Sequence, residues 1–523
     1  MLTKGIPTLS PSPIGQGLTS AAAAVVASLL IAAPTFAQQP PGLPGGEAAS
    51  EALATAAATL EPQGGPVQAP DATLAMNALA AAMPELEPAE RKRARSLLAR
   101  PTDGAADQFG HGYPPGAPVA SAESPHFCIF WVDDPQNKDA PDLADADADS
   151  VPDYVDAILE IAEFSYSVEV APGALGWRPP KPDTKGCGAD PSARADIYLK
   201  QLGDLGLFGY ESVDPGQGLE RRKYGYMVID NDYARSEYGY PDPLEPARVT
   251  FAHEFNHLLQ QNYDSYQDLW MFEATATWSE EFVYPAINDY VRYIRAFASS
   301  PETPITDREA AGGLKIYGAN VWNHWLSGSG GGYGVEAVRR AWEVSPTVEP
   351  PDFAISAYER AIRNRGGKGF GPEFVDFAAA TAEWRTGFGG FPDASLYPDM
   401  KRKGALQKAR TKRFRLDHTA MRLLDVRARG KRPIKLTVRA PDGTRAGLAL
   451  VGRRRDRAGG RVTRKREYLD SGGKGSVSLD SPGRFKRITA VIANADGRVK
   501  GFAGTDWIYR KDDQKFSARL RRR

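Results

Sequence analysis

The stretch Val249-Thr-Phe-Ala-His253-Glu254-Phe-Asn-His257-Leu-Leu-Gln-Gln261 decides how the rest of the chain is read. Phe251, Phe255, Leu258 and Leu259 recur at helical spacing, which predicts a buried helix. At about 100° per residue, His253 and His257 fall one turn apart on one face, so two imidazoles point the same way. That pair suits Zn²⁺, which takes nitrogen ligands at about 2.0–2.1 Å, with Glu254 beside it as general base for a metal-activated water. The chemistry expected of this HExxH pattern is hydrolysis of a peptide bond. A pattern with three fixed positions also arises by chance in long chains, and a buried histidine can be a satisfied core residue. A third ligand is the feature that discriminates.

The next helix-like stretch, Asp268-Leu-Trp270-Met-Phe-Glu273-Ala-Thr-Ala-Thr-Trp278, sets one acid among aromatic and small residues. A buried carboxylate costs several kcal/mol unless a cation or strong donors meet it, and service as third zinc ligand would explain Glu273. Glu280 and Glu281 lack that setting, and two adjacent acids read as a solvated helix end. The metzincin pattern HExxHxxGxxH needs Gly and His where this chain has Gln260 and Tyr263, which excludes that class. Asp264 and Asp268 read as loop-shaping residues.

His253-Glu254-x-x-His257 followed by a Glu in a second helix resembles the gluzincin zinc metallopeptidases. With Tyr226-Met-Val-Ile-Asp230-Asn-Asp232-Tyr and Gly176-Trp-Arg-Pro-Pro180, the pattern is similar to a family of secreted bacterial metalloproteases over roughly residues 124 to 400. The resemblance implies His253, His257 and Glu273 as zinc ligands and Glu254 as general base. It also implies an edge strand bordering the cleft, which falls on residues 226 to 229. The thermolysin-like subgroup has an Asp four residues after its ligand Glu to orient a ligand His, whereas this chain has Thr277. Thr277, Asp230 and Asp232 are the candidates for that orienting role.

With 523 residues the chain calls for two or three domains. Lys+Arg and Asp+Glu both total 65, but residues 401–523 hold 37 basic against 11 acidic side chains, +26, which leaves −26 for residues 1–400. The two parts should attract. Lys4, the apolar run Ala21 to Ala33 and Pro34-Thr-Phe-Ala37 read as a secretory signal over residues 1–37, cleaved after Ala37; the alternative is an uncleaved anchor. The mature chain is then expected to be secreted, extracellular or periplasmic, without a membrane span. Residues 38–120 read as a flexible leader or a propeptide: Gln38 to Pro70 is Pro-, Gly- and Ala-rich without periodicity and is expected to stay unordered. Ala89 to Leu98 is a short helix candidate.

The metallopeptidase domain is expected over residues 121–410. His126 to Val132 reads as its first strand, and Cys128 can pair with Cys187 in an exported protein or remain a thiol. Asp145, Asp147, Asp149, Val151 (through its carbonyl), Asp153 and Asp156 fall at the ligand positions of an EF-hand-like loop and make a candidate Ca²⁺ site. Ser150 replaces the usual Gly and Asp156 the usual Glu; the alternative is a solvated acidic loop capping the helix that begins near Asp153. Residues 195–199 and 226–229 read as further strands. The stretches 287–298, 318–326, 335–344, 353–363 and 372–384 read as helices, giving a mostly helical second half. Tyr317 and His324 are candidates to steady an oxyanion, with core packing as the alternative role.

Short alternating runs at 434–438, 448–451, 488–492 and 507–509 predict a basic all-β sandwich over residues 411–523. No RNP-like or zinc-finger spacing accompanies its arginines, so no nucleic acid is expected. The fold class is therefore α+β: a zincin-like metallopeptidase domain followed by a C-terminal all-β sandwich. The function expected is a secreted zinc-dependent metalloendopeptidase acting on protein or peptide substrates. The alternatives are a non-catalytic secreted binding or adhesion protein on a zincin scaffold, and a zinc hydrolase of a non-peptide amide or ester.

Overall fold

A computed structural model describes residues 46–61, 71–104, 110–183, 185–186, 194–218, 220–345, 353–427, 429–455, 461–503 and 506–522. The expected signal segment 1–37 and Cys187 lie outside the described residues; Cys128 is disulfide-bonded. Helices α1 (Gly46–Thr59), α2 (Thr73–Ala82) and α3 (Pro88–Leu97) come first, followed by β1 (Val119–Glu123), β2 (Phe127–Val132), α4 (Asp153–Glu169), β3 (Ala195–Lys200), β4 (Gly209–Val213) and β5 (Gly225–Asp230). These strands form one sheet in the order β1-β2-β3-β5-β4. β2, β3 and β5 run parallel, with α4 as the crossover between β2 and β3, while β1 and β4 are antiparallel edges. The edge strand expected at residues 226–229 is thus an interior strand, β5, and its neighbour β4 is the edge on that side.

The runs Phe-Cys-Ile-Phe-Trp-Val, Ala-Asp-Ile-Tyr-Leu-Lys and Gly-Tyr-Met-Val-Ile-Asp are buried on both pleat faces and mostly apolar, as parallel strands covered on two sides must be, with Asp196 and Lys200 of β3 ion-paired. Phe127, Ile129, Ile197, Leu199, Met227 and Ile229 face one core, shared with α4 and with α6 (Leu244–Gln261), which follows the short α5 (Arg235–Tyr238). The rings of Phe251 and Phe255 meet Phe127 edge-on at 5.5 and 5.2 Å. Val132, Tyr198, Tyr210, Tyr226 and Val228 face the other way, into a second core built by α1, α2 and α3.

The amino-terminal stretch therefore departs from the expectation of an unordered segment. Ala49, Leu53, Ala56 and Ala57 form a buried stripe on α1 that packs with Met76, Leu79 and Leu97. Alanine gives little hydrophobicity per residue, but it has the highest helix propensity and permits close packing. The segment is pinned further by Arg100, whose buried guanidinium donates to Asp214 at 2.8 and 2.6 Å, to Asp183 at 2.8 Å and to Asp196.

After α7 (Leu269–Val283) come α8 (Val291–Ser299), α9 (Lys315–Gly318), α10 (Asn320–Ser327), α11 (Val335–Val344), α12 (Ala354–Asn364) and α13 (Phe370–Thr381), close to the expected helical runs. The carboxyl-terminal part is made mostly of strands. β6 (Ala405–Leu406), β8 (Met421–Val426), β10 (Ala446–Arg454), β11 (Val462–Tyr468) and β13 (Phe485–Asn494) form one sheet, and β7 (Thr411–Leu416), β9 (Ile434–Arg439), β12 (Lys474–Leu479) and β16 (Gln514–Arg522) another; β14 (Val499–Ala503) and β15 (Asp506–Tyr509) make a separate pair. The two larger sheets share one core, including Leu424, Leu448, Ile492, Leu436, Val438 and Leu520. The opposite face of the β10–β13 sheet packs under α13, so Ala449, Val451 and Val491 join the helical core.

Opposite charge meets at this junction as expected. Arg487 grips Glu383 with two bonds at 2.6 and 2.8 Å, and Asp376 pairs with Arg464 and Arg466. Among the described residues, no helix is long and apolar enough to cross a membrane.

Candidate metal centre

Helix α6 is buried almost throughout, from Pro246 to Gln261, because it lies between the central sheet and α7. On it, His253 and His257 turn to the same side, their ring centroids 4.7 Å apart. Glu273, fully buried on α7, meets them: its Oε2 lies 3.1 Å from His253 Nε2 and its Oε1 3.5 Å from His257 Nε2. A tetrahedral zinc ion with ligands at about 2.0–2.2 Å needs donor atoms about 3.3–3.6 Å apart, close to these separations. Among the described residues, His257 Nε2 and Glu273 Oε1 have no hydrogen-bond partner although both are buried. Orphaned buried polar atoms are costly, and a cation between them would satisfy both.

The outer nitrogens of the two rings explain their orientation. His253 Nδ1 lies 2.8 Å from Glu280 Oε1, and His257 Nδ1 lies 3.0 Å from Gln260 Oε1. Carboxylate and carbonyl oxygens only accept, so each Nδ1 donates its proton outward, and each Nε2 is the nitrogen turned toward Glu273 that would ligate a metal. Gln260 Nε2 in turn donates to Asn256 Oδ1 at 2.6 Å and Phe272 O at 3.2 Å, and Asn256 Nδ2 donates to Glu169 Oε2 at 2.6 Å. Glu280 is therefore no solvated helix end. Two turns along α7 from Glu273, it reaches the far side of the same imidazole.

The role sought for Thr277, Asp230 or Asp232 falls instead to Glu280 and Gln260. Thr277 is buried, and its hydroxyl has no hydrogen-bond partner among the described residues. Asp230 accepts backbone N–H groups of Leu202, Gly203, Asp232 and Tyr233, and so shapes the loop after β5.

Burial and the neighbouring acids set the protonation pattern. Burial would raise Glu273, but the adjacent His257 and His253 hold it down at about 2. Burial raises Glu280 to about 7, its bond to His253 opposing the shift. Burial, then the charge of Asp71, push Glu254 well above the usual carboxylate range.

Glu254 is 1% exposed and borders a narrow cleft lined also by Phe208, Val249, Thr250, Glu280, Arg292 and Tyr293. Its Oε2 accepts the hydroxyl proton of Thr73 at 2.8 Å. A second leader residue, Asp71, completes the group: one oxygen each from Asp71 and Glu273 and one nitrogen each from His253 and His257 lie within 4.8 Å of one another. The Tyr317 hydroxyl donates to Asp71 Oδ2 at 2.7 Å, and its ring stacks near His253. His324 is buried elsewhere, against Phe282 and Tyr290, and burial lowers it to about 3. Asp71 and Thr73 carry no local motif. The sequence signal that something had to cover that face of the sheet was the two-sided apolarity of β2, β3 and β5.

The acidic side chains of the loop before α4 gather in two overlapping triads, Asp145/Asp147/Asp153 and Asp147/Asp149/Asp156. Asp145 accepts the N–H groups of Ala148 and Ser150 at 2.7 and 3.0 Å, Asp149 that of Val151 at 2.8 Å, and Asp153 that of Ala146 at 3.0 Å. Ser150 takes φ 80°, a left-handed conformation suited to the glycine it replaces.

No protein-family model and no curated protein matches the sequence. Among solved structures, the pre-peptidase C-terminal domain of a collagenase from Bacillus anthracis is 8% identical with a TM-score of 0.17, covering 24% of this chain and 100% of that one. A family 16 carbohydrate-binding module is 13% identical with a TM-score of 0.15, covering 21% of this chain and 75% of the other. Both likenesses are too slight to bear on fold or function.

Proposed function

We propose that the chain is a secreted zinc-dependent metalloendopeptidase of gluzincin type, with a zincin-like domain ahead of a C-terminal β-sandwich. The observation that carries this reading is the buried convergence of His253 Nε2, His257 Nε2 and Glu273 beside Glu254, with two of those atoms orphaned. His253, His257 and Glu273 would hold the ion, each histidine oriented through its Nδ1. When bound, zinc supplies Lewis-acid polarisation of a carbonyl oxygen and lowers the pKa of a water to about 7.

Glu254 takes the proton from the attacking water and passes it to the leaving amine nitrogen. Tyr317, whose ring lies against His253, is the donor best placed to steady the oxyanion. The outer edge of β4, partly occupied by Asp71 and Thr73, is where an extended substrate would lie. Export rests on the signal-like residues 1–37 and fits an oxidised Cys128. The acidic loop at 145–156 is proposed as a Ca²⁺ site.

The test is metal analysis of the purified chain alongside digestion of a general protein substrate. One zinc per chain with chelator-sensitive hydrolysis is expected. A metal-free protein that does not take up zinc would sink the reading.

A further inference from the structure

Catalytic zinc sites keep three protein ligands and leave the fourth position to water or substrate, whereas structural sites are closed by four. Here the fourth place is taken from inside the chain. Asp71 Oδ2 lies 3.7 Å from His253 Nε2, within the same cluster as His257 and Glu273. The carboxylate is aimed: its Oδ1 accepts the N–H of Thr73 at 2.8 Å, and its Oδ2 accepts the Tyr317 hydroxyl at 2.7 Å.

Two residues on, the Thr73 hydroxyl donates to Glu254 Oε2 at 2.8 Å and accepts the backbone N–H of Glu211 at 2.8 Å. Asp71 also forms a parallel bridge with Gly209, the first residue of edge strand β4. One short segment therefore engages the fourth ligand position, the general base, the oxyanion donor and part of the substrate-binding edge. Chance packing would not be expected to meet all four groups that the proposed reaction needs.

We infer that residues 71–73 are a built-in inhibitor of the metal site: Asp71 is a displaceable fourth zinc ligand and Thr73 a cap on Glu254, and substrate enters only when this segment withdraws. The inference rests on the peptidase reading. It concerns residues 71–73 at the start of α2 and leaves α1, α3 and the rest of α2 in place as the cover of the central sheet, since removing them would bare Tyr198, Tyr210, Tyr226 and Val228.

The test uses the full-length, zinc-loaded chain and its variants Asp71→Ala, Asp71→Asn, Thr73→Val and Asp71→Ala/Glu254→Gln. It reads zinc transfer to a chromogenic chelator and casein hydrolysis, with melting curves to show that each variant is folded. Both Asp71 variants should release zinc at least about tenfold faster than wild type, the lower end of what lost support for a metal costs, and should hydrolyse casein faster. Thr73→Val should hydrolyse faster at an unchanged rate of zinc release. The double variant should release zinc as fast as Asp71→Ala and hydrolyse nothing. Unchanged zinc release in folded Asp71→Ala and Asp71→Asn overturns the inhibitor, as does slower hydrolysis in both. Faster release with no hydrolysis by any zinc-loaded form overturns the peptidase reading and the inhibition with it, while the ligation by Asp71 stands.

Discussion

Glu280 Oε1 accepts the Nδ1 proton of His253 at 2.8 Å, so the ring that turns Nε2 toward Glu273 is held from behind by a carboxylate on the same helix as Glu273. Glu273→Ala is expected to abolish stoichiometric zinc binding. Glu280→Ala should retain zinc but bind it about 10- to 100-fold more weakly, the usual cost of losing a partner behind a ligating histidine. Competition against a chelator of known affinity separates the two. Equal zinc affinity in Glu280→Ala and wild type would remove Glu280 from the site.

Glu254→Gln should keep zinc and the fold while lowering the rate about 10²- to 10⁴-fold, because an amide cannot accept a proton from water. Steady-state hydrolysis with measured zinc content is the check. Wild-type turnover in that variant would end Glu254's role as base.

Glu169 is fully buried on α4, and burial raises its carboxyl to about 8, its bond from Asn256 opposing the shift. The folded chain therefore holds a proton there that the unfolded chain, near 4.5, has already lost. Stability contributed by the neutral acid is fully present below about pH 4.5 and declines as pH rises through about 8. Glu169→Gln should flatten that limb, so that its melting temperature falls less than that of wild type between pH 5 and 8. Parallel curves for the two proteins would contradict the shift.

If the loop at residues 145–156 binds Ca²⁺, millimolar calcium should raise the melting temperature of wild type and not of an Asp147→Asn/Asp149→Asn variant, since a ligand bound only by the folded state stabilises it. Asp147 is the informative position because both triads share it. Identical melting curves with and without calcium would leave only an acidic loop held by its own backbone bonds.

The parts legible in the sequence were those with a local period. HExxH fixed the register of α6, and the alternating runs near 434–438 and 488–492 lie within β9 and β13. Glu273 stood out because an acid amid Trp270, Phe272 and Trp278 requires an explanation. Glu280 did not, since its pairing with Glu281 imitates a solvated end, and burial depends on what packs over α7 rather than on neighbours in sequence. Gln260 and Asn256 looked like ordinary helix residues because a buried amide chain is recognisable only once its partner, Glu169 on another helix, is in place. β4 was invisible as the sheet edge because strand order is set by crossovers and not by composition. Asp71 lies 182 positions before His253, beyond any local pattern.

The leader's hold on the central sheet has a consequence for the order of events during synthesis. Helices α1 to α3 emerge from the ribosome before any strand they cover, and their contacts with one another are local, so they can form early. The parallel strands β2, β3 and β5 pair over long separations and carry apolar side chains on both faces, the kind of sheet most prone to aggregate while it waits for partners. Helices formed that early would offer β2 a covering surface as soon as it appears. Arg100 then meets Asp183, Asp196 and Asp214 in turn, so each arriving acid registers one more segment against the template. Expressed without residues 46–100, the remainder should be recovered as inclusion bodies, and a leader supplied as a separate polypeptide during refolding should restore soluble protein.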